Sequence, residues 1–252
     1  MRRHARIHFF TIIEVYMSNA TEQTISEPRP SASVVLLRDK RQQIEILMVQ
    51  KNQTINFGGS WVFPGGIVEK VDSARDSGQL SSIESAKQTV YRETLEETSI
   101  ALNKADLVAL SKWVTPKQMP KRYSTWFFVC DANAITQSVV IDNQEIVDSK
   151  WLMPEDALSM HCRKKMKLNG PSFVILNALT AFKSAKKAIA QYQRQTPPTF
   201  LPRTFANEDG YVSLFQEDCG YALAQEEVLA ANGKKHRTLM FKNKAWEYIC
   251  EL

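Results

Sequence analysis

The segment from Trp61 to Ile100 constrains this chain most: a short apolar run, Trp61-Val62-Phe63, ends in Pro64-Gly65-Gly66, and further on comes Arg92-Glu93-Thr94-Leu95-Glu96-Glu97. On a helix Glu93 and Glu97 are four apart and Glu96 is three from Glu93, so three carboxylates crowd one face. Like charges at that spacing repel, and a bound cation relieves the repulsion. The glycines permit a tight turn in which backbone carbonyls approach a cation or phosphate. The bland alternative, a solvated acidic helix face, explains neither the strand nor the glycine pair beside it.

A helix is expected from an N-cap at Ser81 or Ser82 to about Thr98, with Ala86, Val90 and Leu95 near its buried side. Before it, Ser33–Leu37 and Ile44–Val49 read as strands joined by a polar turn, a hairpin-like pair. After it, Leu107–Val114, Ser124–Cys130 and Glu145–Leu152 read as three more strands. A short helix is expected from Asp156, and helical spacing runs from Phe173 to Gln193. Together these elements predict an α/β fold with a mixed sheet between helices. Beyond the breaker stretch Gln195–Thr199, short apolar runs alternate with turns up to Leu252, as in a small β-rich appendage.

The acidic run resembles the nudix hydrolase signature, in which a glycine, a glutamate and the string Arg-Glu-aliphatic-any-Glu-Glu-any-Gly-aliphatic recur at fixed spacing. Arg92, Glu93, Glu96, Glu97 and Ile100 match in register, and Glu84 stands eight before the arginine, at the place of the earlier signature glutamate. Gly66 is taken as the signature glycine, although that glycine should lie six before the glutamate, where Gly78 sits. Seventeen residues, 67–83, then separate Gly66 from Glu84 where the signature has five, an insertion assigned to Val71–Ser82. Thr94 replaces an aliphatic and Ser99 a glycine. The threonine hydroxyl needs a partner, and a serine in a left-handed helix-ending conformation costs up to roughly 1–2 kcal/mol relative to glycine.

The resemblance implies the nudix α/β/α sandwich with a central mixed sheet over 31–193. A tail would occupy 1–30, and 194–252 would be the C-terminal extension. Further phrases, among them Gly59–Gly66, Trp113–Pro116, Arg122–Phe128 and Trp151–Pro154, resemble the branch that contains the peroxisomal coenzyme A diphosphatases and their bacterial relatives. Implied is a hydrolase that splits coenzyme A or acyl-coenzyme A into 3′,5′-ADP and a phosphopantetheine. Hard divalent cations neutralise the oxygens of such a phosphoanhydride and position the water. Glu93, Glu96 and Glu97 would supply the ligands, with the Gly66 carbonyl by family analogy; Mg²⁺ is the expected ion and Mn²⁺ a workable substitute. In the family the arginine pairs with a signature glutamate, so Arg92 is expected to brace the cluster and Glu84 to belong to it. Glu145 is the candidate base. Lys112, Lys117, Lys121 and Arg122 are candidate phosphate contacts, and Trp113 and Phe127 candidates for stacking an adenine.

Two other readings stay open, an RNA-cap or nucleotide-binding module and a non-catalytic nucleotide sensor. Net charge is +5, from 32 basic and 27 acidic residues, too mild to indicate nucleic acid but enough to favour a polyanionic small molecule. With 44% hydrophobic and 23% charged residues the composition is that of a soluble globular enzyme. The four dispersed cysteines, without a CxxC, suggest reduced and mostly buried thiols in a cytoplasmic setting. Met1–Tyr16 reads either as a basic organelle-targeting segment or as the product of an upstream start before Met17. Homodimerisation is common in the family.

Overall fold

A computed structural model describes residues 26–74, 78–243 and 245–251. The expectations for Met1–Tyr16 and Met17 lie outside the described residues. The main body is an eight-stranded mixed sheet. Its first four strands are β1 (Arg29–Lys40), β2 (Gln43–Lys51), β3 (Trp61–Val62) and β4 (Gly65–Ile67). It continues with β5 (Val108–Val114), β6 (Tyr123–Asp131), β7 (Ile146–Leu152) and β8 (Thr199–Phe200). The order is β3-β2-β1-β6-β5-β8, with β4 on β1 and β7 on β2. β1 with β6 and β5 with β8 run parallel, and the other pairs antiparallel.

Period-two alternation makes β1 the divider of two cores. Ala32, Val34 and Leu36 pack with Ala86 and Val90 of α1 (Ile83–Thr98). Val35 and Leu37 face the other way, toward α2 (Pro154–Cys162), α3 (Gly170–Leu179) and α4 (Ala185–Gln193). The expected sandwich is thus present. The helix expected over Phe173–Gln193 is broken after Leu179, and it restarts where Asp39 Oδ1, at the end of β1, accepts the Ala185 N–H at 2.7 Å. A tertiary cap of this kind leaves no local sequence pattern.

One edge of β1 is shared. Leu37–Lys40 pair with β2, whereas Ser31–Ser33 pair with β4. In this split the glycine pair sits opposite Ala32 and Ser33. Gly65 has φ +147, and a Cβ there would strike the Ala32 carbonyl and Ser33, so only glycine lets β4 lie so close to β1.

After residue 194 the chain first adds β8 to the main sheet, pairing Lys112 with Thr199 and Trp113 with Phe200. A separate antiparallel sheet then forms from β9 (Arg203–Asn207), β10 (Gly210–Leu214), β11 (His236–Phe241) and β12 (Trp246–Cys250). Its own core is Phe205, Val212, Leu214 and Val228. Phe215 joins it to the larger core, where Trp113 stacks on Phe200 at 4.2 Å between centroids and meets Phe215 edge-on at 5.5 Å. Cys130 is buried, but Cys162 and Cys250 are exposed and Cys219 is half-buried, so burial does not account for most of the thiols. Among the described residues no helix is long and apolar enough to cross a membrane.

Candidate active site

Helix α1 starts where Ser82 Oγ accepts the Ser85 N–H at 3.0 Å and stops at Ser99, whose φ of 59 is left-handed. Its buried face carries small residues, Ser85, Ala86, Thr89, Val90 and Thr94, so the helix lies close on the sheet and brings its last turn to β4. Leu95, expected near that face, is 41% exposed, because a residue one position past Thr94 is turned about 100° away. The Thr94 hydroxyl is buried with no hydrogen-bond partner among the described residues.

At the end of α1 the acids have separate environments. Glu97 is 2% exposed; its Oε2 accepts the Gly65 N–H at 2.9 Å and its Oε1 accepts from Lys51 Nζ at 3.1 Å. Burial raises its pKa, opposed by Lys51 and the Gly65 N–H. Glu93 lies against Gly66, where a Cβ would collide with its carboxylate. Burial pushes Glu93 up to about 7, with Arg92 and Lys51 opposing and Glu97 and Glu96 adding. Glu96 is largely exposed and accepts from Arg92 Nη1 at 3.0 Å. The cations that offset the crowded carboxylates are thus Lys51 and Arg92 of the chain itself. For Lys51, burial opposes the charge, but Glu97, Glu145 and Glu93 outweigh it and raise its pKa.

Arg92 overturns one expectation. Its Nε and Nη2 donate to the two oxygens of Asp72 at 3.0 and 2.9 Å, and Nη2 also reaches the Ile67 carbonyl at 3.3 Å. Asp72 is buried and further held by the Thr89 hydroxyl and the Glu69 N–H. Glu84 takes no part: its side chain is 65% exposed and pairs with Lys87 in the first turn of α1, about two and a half turns from Glu93. Asp72 stands six after Gly66, the signature spacing, and twenty before Arg92 where the signature has eight. Counted from Asp72, about twelve additional residues lie between it and Arg92, and Asp72 makes the pairing with Arg92 that was expected of a signature glutamate. None of the described residues of 71–82 borders the cavity.

A cavity of about 700 Å³ opens at this end of α1 and runs between the main sheet and the C-terminal sheet. Gly66, Arg92, Glu93 and Glu96 line it, as do Lys51 and Glu145, whose Nζ and Oε2 are 3.8 Å apart. Trp113 and Phe127 line it as buried core rings, Trp113 engaged with Phe200 and Phe127 edge-on to Phe63. Lys121 is at the rim, donating to Asn56 Oδ1 at 2.8 Å. Lys112 and Arg122 do not line it. Lys112 lies on the other face of β5, its ammonium 5.3 Å from the Trp126 ring centre. Arg122 holds the Thr115 and Ser26 carbonyls at 3.2 and 2.8 Å. Lys117 is exposed and also outside the lining.

A family model described as the NUDIX domain matches residues 27–171, more than half of the chain. This chain belongs to the NUDIX domain family. The nudix match ends within α3, before α4 and the whole C-terminal sheet. A curated relative, acyl-coenzyme A diphosphatase NUDT19 of Xenopus laevis, is 27% identical over 157 residues, 53% of this chain and 41% of that protein, so less than half of the relative's length is spanned. A solved NUDIX hydrolase from Alicyclobacillus acidocaldarius superposes with a TM-score of 0.60 at 22% identity, covering 66% of this chain and 97% of that one, and shares the fold. Family and fold are therefore those of the NUDIX domain.

The residues present fit a hard divalent cation: the donors are carboxylate oxygens, and the space that a Cβ on Gly66 would fill is left to Glu93. Among the described residues no three acidic, histidine or cysteine side chains are gathered as a ligand set. Lys51 and Arg92 engage the Glu97 and Glu96 oxygens, so loading an ion means exchanging those ion pairs for it. Sequence reasoning missed Lys51 and Asp72. Each had a signal: a lysine closing a mostly buried strand, and an acid at the signature distance from Gly66.

Proposed function

We propose that this nudix chain is a Mg²⁺-dependent diphosphatase, also supported by Mn²⁺, acting on coenzyme A or acyl-coenzyme A to give 3′,5′-ADP and a phosphopantetheine. The observation that carries the reading is the half-buried Glu93, which lines the cavity beside Gly66, together with the buried Glu97, which accepts the Gly65 N–H directly behind it. The likeness to the Xenopus acyl-coenzyme A diphosphatase supports this substrate.

Glu93, Glu96 and Glu97, with the Gly66 carbonyl, would hold the ion. Such an ion would supply the positive charge that offsets the diphosphate oxygens and makes a water more acidic. The Gly65 N–H fixes the Glu97 carboxylate, and the Arg92–Asp72 pair fixes the C-terminal half of α1 against the turn after β4. Lys51, shared between Glu97 and Glu145, offsets their charge and keeps Glu145 at the cavity, where its carboxylate takes the proton of the attacking water.

The test is mass-resolved product analysis with Mg²⁺ over coenzyme A, acyl-coenzyme A, NADH, ADP-ribose, dinucleoside polyphosphates and capped RNA, with Glu97→Gln alongside. Selective release of 3′,5′-ADP, lost in the variant, is expected. Preferred turnover of another diphosphate would remove the coenzyme A assignment, and nucleotide binding without turnover would favour a sensor.

A further inference from the structure

We infer that the C-terminal four-stranded sheet is the specificity wall of the cavity, and that it receives the uncharged half of the substrate, a flexible amide- and acyl-bearing arm. This deepens the diphosphatase reading and rests on it for the position of the reacting end.

The two ends of the cavity differ in charge. Lys51, Glu69, Arg92, Glu93, Glu96 and Glu145 cluster around the glycine turn and the end of α1. The opposite wall is built by Thr204, Ser213, Phe215, Thr238, Met240 and Trp246, and among the described lining residues from 200 onward none is charged. An anionic group seated there would have no cation within the wall, and burying an unpaired charge is strongly unfavourable. A second phosphate-bearing half is therefore disfavoured at this end, whereas an uncharged chain is not.

The wall is not simply greasy. Thr204 and Ser213 share one hydrogen bond at 2.8 Å, and across the cavity floor Ser31 and Thr125 share another at 2.6 Å. Two hydroxyls bonded to each other use one of their two hydrogens, so each pair keeps a donor and acceptor lone pairs for a ligand. Hydroxyl pairs between aromatic and thioether surfaces suit amides joined by alkyl segments. The volume of about 700 Å³ is well beyond what a diphosphate alone fills. The wall is also firmly placed, through the Trp113–Phe200–Phe215 contacts and through Trp246, which meets Phe173 at 5.3 Å between ring centroids.

The experiment is calorimetric binding of two separate probes, uncharged S-octanoyl-pantetheine and anionic 3′,5′-ADP, to the full chain and to Met240→Trp and Ser213→Asp, each variant checked by circular dichroism. Met240→Trp fills the cavity and Ser213→Asp charges its wall, so one remains informative if the other misfolds. Binding of the acyl-pantetheine is expected to weaken at least about tenfold in either folded variant, with 3′,5′-ADP changed less than about twofold. Unchanged acyl-pantetheine binding, or equal loss of both probes, would overturn the inference. Because the readout is binding, a selective loss upholds the wall even if coenzyme A is not turned over. Turnover of coenzyme A with wall-insensitive arm binding would leave the diphosphatase reading and remove the wall.

Discussion

Glu84 and Glu97 lie at opposite ends of one helix, and their surroundings give the same side chain different work. Glu84 is exposed, paired with Lys87, and placed at the positive end of the α1 dipole, as many surface helices arrange. Glu97 is buried, held by a backbone N–H and by a lysine from a different strand. The split edge of β1 makes the difference: it puts β4 and the end of β2 beside the last turn of α1, where Gly65 and Lys51 reach Glu97. Spacing along a helix specifies which acids share a face, but only the neighbouring elements decide which of them are forced together.

The sharpest way to break this contrast is to neutralise each acid in turn. Glu97→Gln and Glu93→Gln are expected to lower Mg²⁺-dependent kcat by about 10³-fold or more, several kcal/mol of transition-state stabilisation. Glu84→Gln should stay within about twofold. Steady-state kinetics on the three variants checks this, and a comparable loss for Glu84→Gln would erase the distinction.

Next in size is the lysine. Lys51→Met leaves Glu97 buried without its cation and should cost about 3 kcal/mol in the metal-free protein, read by chemical denaturation in chelator. Added Mg²⁺ should return part of that loss by binding the folded state. A smaller effect, about 2 kcal/mol, is expected for Asp72→Asn, which weakens the Arg92 clamp. Burial pushes the Asp72 pKa up, but hydrogen bonds from Arg92, the Glu69 N–H and Thr89 together outweigh it and hold the group below its ordinary range. The stability it contributes is therefore complete above the unfolded value near about 4 and is lost as pH falls through the lower folded value. Denaturation midpoints across acid pH should show a flatter acid limb for Asp72→Asn.

Much of the fold was legible because its signals are local. The alternation in β1, β2, β5 and β6, the Ser82 cap and the glycine pair each follow from a few adjacent residues. The helix that carries Glu93, Glu96 and Glu97 was legible for the same reason, since all three belong to one short run of sequence. What was not legible depends on contacts distant in sequence. Arg92 reaches back twenty residues to Asp72, and Lys51 spans 46 to Glu97, distances over which a spacing rule gives no geometry. Taking Glu84 as the signature acid kept the spacing to Arg92 and lost the spacing to Gly66; the guanidinium geometry favours the other choice. Lys112 and Arg122 read as phosphate contacts because they flank the Trp113 strand in sequence, whereas neighbouring residues of β5 point to opposite sides and Arg122 is taken up by the Thr115 and Ser26 carbonyls.

The smallest effects concern the helix itself. Thr94→Val replaces an unpartnered buried hydroxyl with a methyl of similar shape and should stabilise by about 1 kcal/mol. Ser99→Gly relieves the left-handed φ of 59 and should give about the same gain. Thermal melts of each variant measure both, and neither should change kcat, because neither residue lines the cavity.

The most direct test of the contrast within α1 is Mn²⁺ binding followed by electron paramagnetic resonance, on the parent chain and on Glu93→Gln, Glu97→Gln and Glu84→Gln. Bound Mn²⁺ in the parent, lost in the first two variants and retained in the third, is the expected result. Retention in Glu97→Gln, or a loss in Glu84→Gln equal to the others, would contradict the assignment of the site to the buried end of the helix.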